Sequence, residues 1–125
     1  MDLTLSPERF AIVRHAGGTP VADALPPDGF ACVVRSTDEV SVWMEERRAP
    51  AHGTVSRGWR MLVVDGPLDL SLTGVLAALL VPLADAGVPV FPFASYDTDR
   101  IGVPGDRVDD AVAALRAAGH RVDGT

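Results

Sequence analysis

The segment from Met61 to Leu83 constrains the fold more than any other stretch of this chain. Met61, Leu62, Val63 and Val64 are consecutive and apolar, which implies a strand buried on both faces. The run Gly66-Pro67-Leu68-Asp69-Leu70-Ser71-Leu72-Thr73-Gly74 follows as a loop. Leu72, Val75, Leu76, Leu79, Leu80 and Leu83 then recur at i, i+3, i+4, i+7, i+8 and i+11, the spacing of one wide helical stripe. Ser71 is the expected N-cap, Gly87 the expected C-terminal stop, and Pro82 should bend the last turns or tighten the end. A loop that ends at a helix N-terminus leaves backbone N–H groups free, and the positive end of the helix dipole favours an anion there. Gly74, lacking a side chain, either lets a ligand approach the first turn or lets the helix lie close to the sheet.

A second polar cluster lies one strand later. Ser95-Tyr96-Asp97-Thr98-Asp99 closes the apolar run Val90-Phe91-Pro92-Phe93-Ala94 and sets carboxylates at a strand-to-strand corner. An anion site beside a carboxylate suits the zwitterion of an amino acid. Each residue also has a plainer role. Ser71 and Asp69 read equally as helix caps, and Asp97 as a turn residue bonded to nearby backbone. Asp99, which leads directly into a strand, is open to either a turn role or a ligand role.

The remaining elements repeat one order. Strands are expected at Phe10 to His15, Phe30 to Ser36, Val40 to Met44 and Trp59 to Asp65, with a short helix after Pro20 and a connector over Glu45 to Arg57 holding one helical turn. Thr37-Asp38-Glu39 fits a hairpin loop. Beyond the central helix come strands at Val88 to Ser95 and Arg100 to Val103, a helix from Asp106 to Ala118 ended by Gly119, and an edge strand at His120 to Asp123. The second half is therefore β-α-β-β-α-β, and the first looks like the same order with abbreviated helices. Trp43 and Trp59 are expected as core or interface aromatics, and Glu45-Glu46-Arg47-Arg48 as solvated surface.

Composition excludes several classes. With 47% apolar residues and no stretch of the ~20 apolar residues a membrane span needs, the chain reads as soluble and not membrane-bound. No basic segment precedes an apolar run at the N-terminus, so the cytoplasm is the expected compartment. A net charge of −6 with scattered arginines argues against nucleic acid. The single cysteine, Cys32, is expected as a small buried hydrophobe, and His15, His52 and His120 have no metal-ligand spacing, so neither a metal nor a cofactor is implied. No nucleophile elbow, phosphate loop or carboxylate pair marks an enzyme.

Together Gly58-Trp59-Arg60, the Gly66 to Ala77 run, Pro82-Leu83-Ala84-Asp85-Ala86-Gly87-Val88 and Ser95-Tyr96-Asp97-Thr98-Asp99 resemble ACT-domain proteins related to aspartate-kinase regulatory domains and to cytosolic arginine sensors. The resemblance implies an α+β fold of two tandem ferredoxin-like lobes, at residues 1–57 and 58–125, the first degenerate. It implies a non-catalytic module that binds a free amino acid or similar small zwitterion and needs no cofactor. By the family pattern, the backbone at Leu72, Thr73, Gly74 and Val75 meets the ligand carboxylate, with the Ser71 and Thr73 hydroxyls nearby. Asp99 receives the ammonium, and Ser95 and Tyr96 add polar contacts. The arginine sensors place an acidic residue where this chain has Ala77, so the likeness does not carry arginine recognition. The implied partners are a second copy in a homodimer and a separately encoded regulated enzyme. The alternative is a structural or interaction module that mediates oligomerisation and keeps only a vestigial pocket.

Overall fold

Leucine spacing and strand alternation sort the chain into two compact units, and a computed structural model describes them over residues 1–125. One unit comprises Met1–Pro7 with Arg60–Thr125, the other Glu8–Trp59. The expected division at 57/58 differs from this chiefly in the first seven residues. Asp2-Leu3-Thr4-Leu5 alternates exposed and buried, and as strand β1 (Asp2–Leu5) it adds an element that the sequence reading lacked.

In the unit Glu8–Trp59, β2 (Phe10–Ala16), α1 (Val21–Ala24), β3 (Ala31–Arg35), β4 (Glu39–Glu45), a 3₁₀ turn (Glu46–Arg48) and the first half of β5 (Thr54–Val64) follow in order. The strands lie β3-β4-β2-β5, a ferredoxin-like βαββαβ arrangement with abbreviated helices. β4 is buried on both faces. Val40, Val42 and Met44 pack with Val13 and Ala24, while Trp43 on the other face stacks on Phe10 at 5.4 Å and meets Trp59 edge-on at 5.8 Å. β5 begins at Thr54, earlier than expected, because Thr54, Val55 and Ser56 pair with Arg14, Val13 and Ile12. Cys32 is only half-buried, contrary to expectation, because β3 is the outermost strand.

In the other unit, β5 continues into α2 (Val75–Asp85), β6 (Phe91–Ala94), β7 (Asp99–Pro104), α3 (Val108–Ala117) and β8 (Arg121–Asp123), again βαββαβ. The order is β6-β7-β5-β1-β8, with β1 antiparallel to β5 and parallel to β8. Leu62, Val64, Leu79, Leu83, Ile101, Val103 and Leu115 fill the core. At ~1.5–3 kcal/mol per fully buried apolar side chain, this cluster dominates the unit's stability.

The helix α2 starts later than its leucine stripe suggests. Gly74 holds the N-cap position with φ +77°, and no side chain caps the helix. Ser71 is therefore not the N-cap, and Leu72 lies outside the helix, 54% exposed. A Cβ built at Gly74 meets nothing within 4 Å, so close packing does not require glycine there and left-handed backbone does.

Both long helices stop by one device. After α2, Gly87 N–H donates to Ala84 O at 2.9 Å and Val88 N–H to Leu83 O at 3.0 Å. After α3, Gly119 N–H donates to Arg116 O and His120 N–H to Leu115 O, each at 3.0 Å. These are Schellman closures. The Arg107 guanidinium adds donors to Gly87 O at 3.2 Å and Ala86 O at 3.3 Å, a cation at the negative end of α2.

The second closure delivers His120 to α2. Pro82 has no N–H, so the carbonyl four residues earlier, Ala78, loses its intrahelical donor. His120 Nε2 lies 3.0 Å from that oxygen. Since a carbonyl only accepts, Nε2 carries the proton, leaving Nδ1 to accept from the Met1 ammonium at 3.0 Å.

Two stability predictions follow from α2. Gly74→Ala should destabilise by ~1–2 kcal/mol in urea melts through backbone strain alone; an unchanged midpoint would show that the left-handed conformation is not needed. His120→Leu should cost ~1 kcal/mol, and substantially less in a Pro82→Ala background, where the backbone at position 82 regains its N–H. Equal costs in both backgrounds would reject the replacement.

Candidate functional site

The loop before α2 is shaped by its own polar groups. Asp69 Oδ1 accepts from the Ser71 N–H and the Ser71 hydroxyl, each at 2.8 Å. Those bonds, the backbone one first, hold the Asp69 carboxyl below the usual carboxylate range, so it is charged at neutral pH. Neither Asp69 nor Ser71 caps α2, because their bonds are made to each other two residues apart and the chain reverses at Gly74 before the helix begins.

The first helical bond runs from Ala78 N–H to Gly74 O at 2.9 Å. The Val75, Leu76 and Ala77 amides precede it and have no intrahelical acceptor. With no side-chain cap, the positive end of α2 is open to an anion.

The β6–β7 corner faces this helix end. Ser95 N–H closes the turn onto Thr98 O at 2.9 Å, and Leu68 N–H donates to Asp97 O at 2.7 Å, joining the corner to the loop. The Thr98 hydroxyl donates to Val64 O. At Gly66 a Cβ would lie 3.0 Å from Asp97 O, so a larger residue would push the loop and corner apart. The Ser95 hydroxyl accepts from Arg100 Nη1 at 2.7 Å.

Between loop, helix end and corner lies an open cleft of about 310 Å³. Leu72, Gly74, Val75, Ser95, Tyr96 and Asp99 line it, as does Leu76 of the first helical turn. Ser71 and Thr73, also expected at the site, do not line it. Asp69 and Asp97 do, and the sequence reading had given them to capping and turn formation. Asp97 serves the turn through its backbone carbonyl, which leaves its exposed carboxylate to the cleft.

The charge pattern is asymmetric. Asp69, Asp97 and Asp99 are the ionised side chains of the lining, and no arginine or histidine is among them. The cleft thus joins an anionic wall to a helix end that attracts anions. No cluster of three or more His, Cys, Asp or Glu could hold a metal ion. No helix is long and apolar enough to cross a membrane.

Comparison with known proteins agrees with this architecture. The structure superposes on protein Atu0741 from Agrobacterium tumefaciens with a TM-score of 0.90 at 23% identity, covering 99% of this chain and 92% of that one. Protein VC0802 from Vibrio cholerae gives 0.73 at 21% identity, covering 90% and 85%. The regulatory subunit of aspartate kinase from Thermus thermophilus, in its ligand-free form, gives 0.69 at 11% identity, covering 93% and 95%. No curated protein matches in sequence. The sequence pattern of the ACT domain matches residues 54–117, just over half of the 125 residues, and this stretch carries α2, the β6–β7 corner and the whole cleft. The chain belongs to the ACT domain family.

Proposed function

We propose that this protein is a non-catalytic regulatory module that binds a free amino acid in the cleft between the N-terminus of α2 and the β6–β7 corner. The observation that carries this reading is the pairing of an uncapped helix end with the carboxylates of Asp97 and Asp99 on one cleft. The ligand carboxylate takes the Val75 and Leu76 amides, and its ammonium takes Asp99, with Asp97 beside it. Ser95 and Tyr96 border the ammonium side. Ser71 and Thr73 act through the shape of the loop, Ser71 by its bonds to Asp69. The anionic wall disfavours a second carboxylate, so neutral and basic amino acids should bind better than aspartate or glutamate. The likeness to a regulatory subunit of aspartate kinase supports a module that acts on a separately encoded enzyme.

A second reading is an oligomerisation module with a vestigial pocket. It is favoured by exposed apolar groups around the cleft and helix: Leu70 is 68% exposed, Leu72 54%, Val81 58% and Tyr96 79%. Leu70, Leu72 and Tyr96 share the cleft lining, and exposed apolar groups gathered in this way mark interaction surfaces. The two readings are compatible if a second copy covers the cleft.

Thermal melts of the purified protein against each common amino acid at millimolar concentration test the first reading. A ligand at about a hundred times its Kd should add ~2.7 kcal/mol, several degrees for a domain this size. Asp99→Asn should abolish the shift and leave the unliganded melting temperature nearly unchanged; a shift retained in the variant would reject the assignment of Asp99. Sedimentation velocity tests the second reading. A concentration-dependent dimer that Leu72→Glu disperses would support it, and a monomer throughout would exclude it.

A further inference from the structure

A second cleft, of about 460 Å³, lies in the same unit away from the first, and no part of the amino-acid reading uses it. Its floor is apolar, from Leu5 of β1 and Val108 and Val112 of α3; Arg60, Arg116 and Asp109 are its charged side chains, and Gly124 and Thr125 complete its lining.

Arg60 is out of place by the pattern of its own strand. Alternation along β5 sets it on the face of Leu62 and Val64, both fully buried beneath the helices. A guanidinium at the margin of an apolar core loses hydration and needs partners. Arg60 has one hydrogen bond, from Nη2 to Ser6 O at 3.0 Å, and its buried Nε has none. Arg116 on α3 donates from Nη2 to Val122 O at 2.8 Å and to Thr125 Oγ1 at 3.0 Å. Neither guanidinium forms an ion pair, whereas Arg14, Arg47, Arg48, Arg107 and Arg121 all do.

We infer that this cleft is a second ligand site, for an amphipathic monocarboxylate. The carboxylate lies between the Arg60 and Arg116 guanidiniums, whose planar forks suit it, and a short apolar tail lies on Leu5, Val108 and Val112. This site is the electrostatic inverse of the first: arginine side chains hold the anion here, whereas carboxylate side chains hold the cation there.

Sodium hexanoate is the probe, with acetate and hexylammonium as controls, read on the full chain by amide and arginine Nε–H resonances. Hexanoate should give saturable shifts at Leu5, Val112, Gly124 and the Arg60 Nε–H, and should bind at least about tenfold tighter than acetate. Arg60→Gln should weaken it about tenfold or more, and Asp99→Asn should leave it unchanged. In the unsubstituted protein the affinity should fall as salt rises, a readout independent of how the variants fold. Shifts confined to Gly74, Val75 and Asp99 would overturn the inference, as would equal binding of hexylammonium, a response that ignores salt, or no saturable response.

Discussion

The docking of α2 onto the sheet through Leu79 and Leu83 is the constraint on which the rest depends. Both side chains are fully buried against Leu62, Val64 and Leu115, so the helix has little freedom to slide or roll. Its N-terminus is thereby fixed opposite the β6–β7 corner, and the Leu68 to Asp97 bond fixes the intervening loop. The cleft is the space left between elements whose positions are already decided by packing. Most of that lining is solvent-exposed polar or loop residue, while Thr98, Leu68 and Val75 tie it to the core beneath.

Electrostatics then give that space a direction. A helix end that lacks a side-chain cap is an unsatisfied feature, and three carboxylates on a lining that holds no basic residue are another. Either alone is ordinary on a protein surface. On one cleft they are complementary to a molecule that carries both charges a short distance apart, and an unliganded protein bears the cost of both.

Much of this was legible in the sequence, for identifiable reasons. The apolar run Met61 to Val64, the stripe through Leu79 and Leu83 and the stop at Gly87 are local patterns, and the structure contains each of them. Leu72, Gly74, Val75, Ser95, Tyr96 and Asp99, expected at one site from the resemblance to ACT domains, line one cleft. The start of α2 was not legible. Leu72 keeps the helical spacing although the backbone turns left-handed at Gly74, and spacing does not report φ. β1 is four residues long, and its assignment rests on partners in β5 and β8 that are about 60 and 120 positions away. Asp69 and Asp97 were hidden by their turn chemistry, which both perform, Asp69 with its side chain and Asp97 with its carbonyl. Arg60 was hidden because an apolar run draws attention to its own members and not to the charged residue that continues its alternation.

The histidine that stands in for the amide missing at Pro82 alters how α2 can come apart. In an ordinary helix each hydrogen bond is closed by a residue one turn away, so a terminus can fray alone. Here one rung is closed by a residue 42 positions later, beyond α3. Opening α2 around Ala78 therefore requires releasing the start of β8, and the C-terminal strand and the central helix become parts of one cooperative unit. A proline that would by itself have made a weak point in the helix instead ties the element beside the cleft to the far end of the chain.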